Sequence, residues 1–141
     1  MKKQLPVVFL AMMALAASGG CGGDEDASNM NEQPGDKGYS DVDAATAKMM
    51  IDTMPELVVI DVSPVWDQGH LPGAVSLPLG SGALDQAIPT LDKNTPYLVY
   101  CHGDEPSMQG ASKLVAAGFG MVYRLAGNYA AWVNAGYPIE M

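Results

Sequence analysis

Cysteine and histidine are nearly absent from this chain: Cys21, Cys101, His70 and His102 are the only ones in 141 residues. A zinc site would need both histidines together with Cys101, and their spacing fits no metal-ligand pattern, so no metal is expected. Positive charge is scarce too, with seven Lys and Arg against sixteen Asp and Glu and a net charge of −9. That balance argues against nucleic acid or anionic lipid as a partner of the folded part. There is no GxGxxG, no Walker loop and no GxSxG elbow. Dinucleotide, P-loop and nucleophile-elbow chemistry are therefore set aside, and no cofactor is expected. Internal repeats are also lacking.

The N-terminus carries a targeting pattern. Lys2 and Lys3 precede an apolar run from Leu5 to Ala17, too short to span a bilayer comfortably, and Ser18-Gly19-Gly20 lead into Cys21. Residues 1–20 are expected to be a secretory signal. A cysteine directly after small residues resembles the lipobox of bacterial lipoproteins, which implies lipidation at Cys21 and an exported, periplasmic or cell-envelope protein held on a membrane. Residues 21–38 are rich in Gly, Asp, Glu and Asn and cannot bury enough surface to offset their ordering entropy, so a flexible tether is expected there. With Cys21 lipidated, Cys101 has no disulfide partner. A lone thiol outside the cytoplasm is exposed to oxidation, and one on a loop points to use.

Residues 39–141 are long and apolar enough for one domain. Ser40 can cap a helix whose apolar positions are Val42, Ala45, Met49, Met50 and Ile51, with the methionines in the core. Leu57 to Ile60 is a continuous apolar run that fits a strand covered on both faces, ending at Asp61. A turn through Gly69, His70, Pro72 and Gly73 leads to a short strand from Ala74 to Leu77, and Leu84 to Leu91 is a short helix. Tyr97 to Tyr100 is a strand running into Cys101. Ser107 to Ala117 is a helix stopped by Gly118. Met121 to Leu125 is the last strand, and Gly127 to Ala135 a closing helix packed by Trp132. Alternating strands and helices joined by short loops predict an α/β fold with a mostly parallel sheet and helices on both faces.

Cys101 is the candidate nucleophile. An apolar strand stops at it, a glycine-bearing loop follows, and a helix opens at the end of that loop. This order gathers backbone N–H groups and the positive end of a helix dipole around one sulfur.

Several segments in order carry a family resemblance. These are Val59-Ile60-Asp61-Val62, Gly69-His70-Leu71-Pro72-Gly73-Ala74, Val99-Tyr100-Cys101 with Ser107, Ala117-Gly118-Phe119, Val122 to Gly127, Ala131-Trp132 and Ala135-Gly136-Tyr137-Pro138. Together they resemble a single rhodanese-like domain. The resemblance implies a central five-stranded parallel sheet flanked by helices, and a cysteine that carries sulfane sulfur as a persulfide. His102, Gly103, Asp104, Glu105, Pro106 and Ser107 would then be the cradle, with their amides facing the sulfur; Asp61 would brace that loop, and His70 is expected to brace its own turn. The partner expected is a small sulfur donor or a persulfide-bearing protein.

The loop departs from the family at one telling place. Active members carry Arg or Lys five residues after the cysteine, and here that residue is Pro106, with Asp104 and Glu105 before it. Two acidic charges near the mouth disfavour the thiosulfate dianion by about 1 kcal/mol each at surface dielectric. A neutral, polymeric or protein-bound sulfur donor is expected instead. The alternative is a degenerate domain that uses its acidic loop to bind a cationic protein partner.

Overall fold

The computed structural model describes residues 38–141, which fall within one compact unit. The expected signal segment, Cys21 and the expected tether through residue 37 lie outside the described residues.

Five strands form one sheet in the order β1-β5-β4-β2-β3, from β1 (Ser40–Val42), β2 (Val58–Asp61), β3 (Val75–Ser76), β4 (Tyr97–Tyr100) and β5 (Val122–Leu125). Every neighbouring pair is parallel. The helices are α1 (Ala44–Thr53), α2 (Ala83–Ala87), α3 (Asp104–Ala116) and α4 (Asn128–Asn134). Such a sheet must be covered on both sides, because parallel strands connect through helices that lie on its faces. Leu84 of α2 and Ala111 and Leu114 of α3 pack on one face with Ile60, Val62 and Val99. Ala44 and Ala47 of α1 and Trp132 of α4 pack on the other with Val59, Leu98 and Tyr100. The connection through α1 steps one way across the sheet and those through α2 and α3 step back. Right-handed crossovers require those opposite steps to use opposite faces.

Alternation along β4 decides where the candidate nucleophile points. Tyr97, Val99 and Cys101 belong to the face under α2 and α3, while Leu98 and Tyr100 belong to the face under α1 and α4. The register pairs Asp61 of β2 with Tyr100 of β4, so both strands deliver their polar ends to the same sheet edge.

The start of the domain differs from expectation. Ser40 does not cap a helix; it lies on β1, paired with Tyr123, and Asp43 is the cap of α1, its Oδ1 accepting from the Thr46 N–H at 2.8 Å. Ser and Asp are both good caps. Pairing of residues 40–42 with β5 forces the choice, since a helix cannot begin until the strand has ended. Met50 is buried as expected, whereas Met49 is 56% exposed, one helical step away on the solvent side. The expected helix from Leu84 to Leu91 divides into α2 and a 3₁₀ turn over Ile88–Thr90, because Pro89 cannot donate to a continuing α-helix. Trp132 is fully buried and its Nε1 donates to the Pro138 carbonyl at 2.7 Å, which holds the end of the chain against α4.

Candidate active site

Cys101 follows β4 directly, and α3 begins only three residues later. Residues 102–107 are thus not a six-residue loop ahead of a helix starting at Ser107: the loop is His102 and Gly103, and Asp104, Glu105 and Pro106 are the first turn. The residue types permit this early start. Gly103 is extended at the cap position (φ −143, ψ 159), and two carboxylates suit the positive end of the helix. Pro106 lacks an N–H that would have no helical acceptor in the first turn anyway. For the same reason Pro106 cannot contribute an amide to a cradle. No side chain caps the helix, so the amides of Gly103, Asp104 and Glu105 are left as donors beside the cysteine.

Cys101 is only 3% exposed and forms no disulfide. Its backbone is held on both sides by the start of α4. The Cys101 N–H donates to Asn128 Oδ1 at 3.2 Å, and the Tyr129 N–H donates to the Cys101 carbonyl at 3.0 Å. His102 is half-buried and stacks its ring on Tyr129, with centroids 4.2 Å apart and planes 16° from parallel. Its Nε2 is buried without a hydrogen-bond partner.

Asp104 does not stand free at the mouth. Its Oδ1 accepts from Asn128 Nδ2 at 2.6 Å and from Arg124 Nη1 at 3.2 Å. Arg124 also donates through Nη1 to Ser107 Oγ at 3.0 Å and through Nε to Asp41 Oδ1 at 2.7 Å. Ser107 in turn donates its hydroxyl to the Asp104 carbonyl at 2.8 Å. Burial works against the Arg124 charge, but the hydrogen bonds and charges of Asp41 and Asp104 outweigh it and raise its pKa. Arg124 was not legible as a site residue, because its partners lie 83 and 20 residues away in the chain. Glu105 is exposed and forms no ion pair among the described residues. The three remaining basic side chains among the described residues are committed elsewhere: Lys48 to Asp52, Lys113 to Asp85, and Lys93 over the Phe119 ring. Arg124 is thus the one cation here that touches the residues around Cys101, and two carboxylates already hold it.

Asp61 braces a different segment from residues 102–107. Its Oδ1 accepts from the Ser63 N–H at 2.8 Å and its Oδ2 from the Tyr100 hydroxyl at 2.9 Å. The Tyr100 oxygen accepts from the Leu71 N–H at 3.0 Å. Burial first, and the Asp61 carboxylate second, push the Tyr100 phenol far above its ordinary pKa, against the opposing hydrogen bond from Leu71. His70 is buried in the turn that Tyr100 supports. It stacks on Trp66 at 3.5 Å, and its backbone pairs antiparallel with Glu140 near the chain end. Its contacts are those of a turn brace, and the Tyr129 hydroxyl, donating to the Gln68 carbonyl at 3.5 Å, ties that turn to the start of α4. Among the described residues no cluster of His, Cys, Asp and Glu is arranged to hold a metal ion.

Known proteins are similar to this chain in sequence and fold. The chain is 31% identical over 86 residues to the thiosulfate sulfurtransferase GlpE of Pseudomonas fluorescens, covering 60% of this chain and 76% of that protein. It is 26% identical over 111 residues to thiosulfate sulfurtransferase 18 of Arabidopsis thaliana, covering 70% of this chain and 82% of that protein. Among solved structures, the Alr3790 protein of Anabaena sp. superposes with a TM-score of 0.63 at 33% identity, over 70% of this chain and 90% of that one. Residues 43–135 match the family model of the rhodanese-like domain. The chain belongs to the rhodanese-like domain family.

Proposed function

We propose that this domain is a sulfurtransferase or sulfane-sulfur carrier that holds its sulfur as a persulfide on Cys101. The observation that carries the proposal is the placement of Cys101 at the end of β4 on the face of α3, with the uncapped amides of that helix starting two residues later. The Cys101 thiolate attacks the outer sulfur of a donor R–S–S⁻. Its lone pair forms the new S–S bond, and R–S⁻ leaves with the electron pair of the old one. The product, Cys101–S–S⁻, is an anion in a largely closed site, and helix-terminal amides stabilise such a charge. An acceptor thiolate then attacks the outer sulfur and Cys101 leaves as thiolate, so no electron is gained or lost over the cycle.

The donor side follows from charge. Pro106 offers no cation, Arg124 is held by Asp41 and Asp104, and Glu105 adds an unpaired negative charge. A compact dianion such as thiosulfate meets no free countercharge around Cys101 among the described residues, which favours neutral or polymeric sulfur or a persulfide carried by a protein. Similarity to two thiosulfate sulfurtransferases supports sulfur transfer. The pattern of residues 1–20 and Cys21 supports an exported, lipid-anchored envelope protein, which the mass of the mature N-terminus would test.

A second reading is favoured by the 3% exposure of Cys101: a binding module whose exposed Glu105 meets a cationic partner. Sulfur uptake from polysulfide, thiosulfate and mercaptopyruvate, with cyanide as acceptor, separates the two. Polysulfide is expected to be the best donor and Cys101→Ser to abolish transfer. Activity surviving Cys101→Ser overturns the nucleophile, and thiosulfate as the fastest donor overturns the charge argument.

A further inference from the structure

Asn128 is the one residue other than glycine with a positive φ among the described residues, at φ 57, and it is 97% buried, with 3% of its surface exposed. Glycine would take this conformation with less strain. The carboxamide adds two hydrogen bonds of opposite sense: Oδ1 accepts from the Cys101 N–H and Nδ2 donates to Asp104 Oδ1. A backbone amide only donates and a carboxylate only accepts, so a carboxamide in one orientation meets both, and neither a carboxylate nor an apolar side chain can. One side chain thus ties the nucleophile to the first turn of α3, while the next residue, Tyr129, holds the Cys101 carbonyl.

We infer that Asn128 is the positioning residue for Cys101. It sets the nucleophile against the start of α3 so that the sulfane sulfur lies before the free amides of Gly103, Asp104 and Glu105. It also occupies the Cys101 N–H, keeping that donor out of the cradle. This inference rests on the sulfur-transfer reading above.

The test is the single-turnover rate of Cys101 persulfide formation from polysulfide in the parent, Asn128→Gly, Asn128→Asp and the double variant Asn128→Asp with Asp104→Asn. Thermal melts run alongside. Asn128→Gly suits the backbone angle, so it is expected to stay folded and to lose about tenfold in rate, equivalent to roughly 1.4 kcal/mol, with the half-saturating polysulfide concentration unchanged. Asn128→Asp sets two carboxylates against each other and is expected to lose more. The double variant restores donor and acceptor in reversed sense and is expected to recover most of the loss. Parent-like loading in Asn128→Gly, or a double variant no faster than Asn128→Asp, overturns the inference. If the parent itself takes up no sulfur, the sulfur-transfer reading fails. Alkylation of Cys101 by iodoacetamide then tests positioning alone: the same ranking supports it, and equal rates across the variants overturn it.

Discussion

Arg124 reaches from β5 to the first turn of α3 and donates to Asp104 at 3.2 Å, while its Nε holds Asp41 at 2.7 Å. The cation that residues 102–107 lack is thus present nearby, but it serves the scaffold. Replacing it by Leu leaves two carboxylates and the Ser107 hydroxyl without their shared donor. Losing one partner of a fully buried pair costs about 3–5 kcal/mol. The Asp41 and Asp104 side chains are 27% and 65% exposed, so Arg124→Leu is expected to cost less, about 2 kcal/mol. Urea unfolding measures this; adding Asp104→Asn should return part of the loss, and a parent-like midpoint for Arg124→Leu would contradict the role.

Tyr100 links Asp61 to Leu71. Tyr100→Phe strands a buried carboxylate oxygen and a backbone N–H and is expected to cost about 2 kcal/mol at neutral pH. Its pKa is raised in the folded state, so the phenol contributes stability that is full below the unfolded value of 10.0 and is lost as pH rises above it. The alkaline fall in stability should therefore be shallower in Tyr100→Phe. Tyr97, also raised mainly by burial, keeps the fall from vanishing. Melting temperatures between pH 8 and 11 decide the point.

Asp43 caps α1 through the Thr46 amide, and that hydrogen bond lowers its pKa from 3.8. Asp43→Ala is expected to cost about 1 kcal/mol at pH 7. Because the folded pKa is lowered, the contribution is full above the unfolded value and is lost as pH falls through the folded one. Urea midpoints of parent and variant should converge below about pH 4; a constant gap down to pH 2 would rule out the carboxylate as the cap.

Pro106 occupies the third position of α3, where an Arg would supply both a side-chain cation and an extra amide. Pro106→Arg is expected to raise kcat/KM for thiosulfate about fivefold or more, through a lower KM, on the Coulomb scale of roughly 1 kcal/mol for one surface charge. Polysulfide turnover should change less. Equal gains for both donors would show that the substitution acts on helix geometry and not on charge.

Much of the framework was legible from periodicity. Tyr97–Tyr100 forms the strand at its expected bounds, and the β2 run is displaced by only one residue, because buried parallel strands are short unbroken apolar runs. β1 was not legible: Ser40-Asp41-Val42 holds one apolar residue and becomes a strand only by pairing with Tyr123, Arg124 and Leu125. The resemblance, not the residues alone, implied a fifth strand. At the site, Cys101 was visible because a strand ends on it. Arg124 and Asn128 were not, since each acts through partners that the fold supplies from more than fifteen residues away. The start of α3 at Asp104 was not legible, because Pro106 suits a first helical position and Asp104 and Glu105 suit caps before it, whereas all three lie in the first turn behind Gly103.

The most direct test is the mass of the Cys101 peptide after the purified domain is exposed to polysulfide and gel-filtered, with Cys101→Ser treated in parallel. The parent peptide is expected to gain the mass of one sulfur atom, removable by dithiothreitol or cyanide, and the variant to gain nothing. An unmodified Cys101, or an identical gain in Cys101→Ser, would contradict persulfide chemistry at this cysteine.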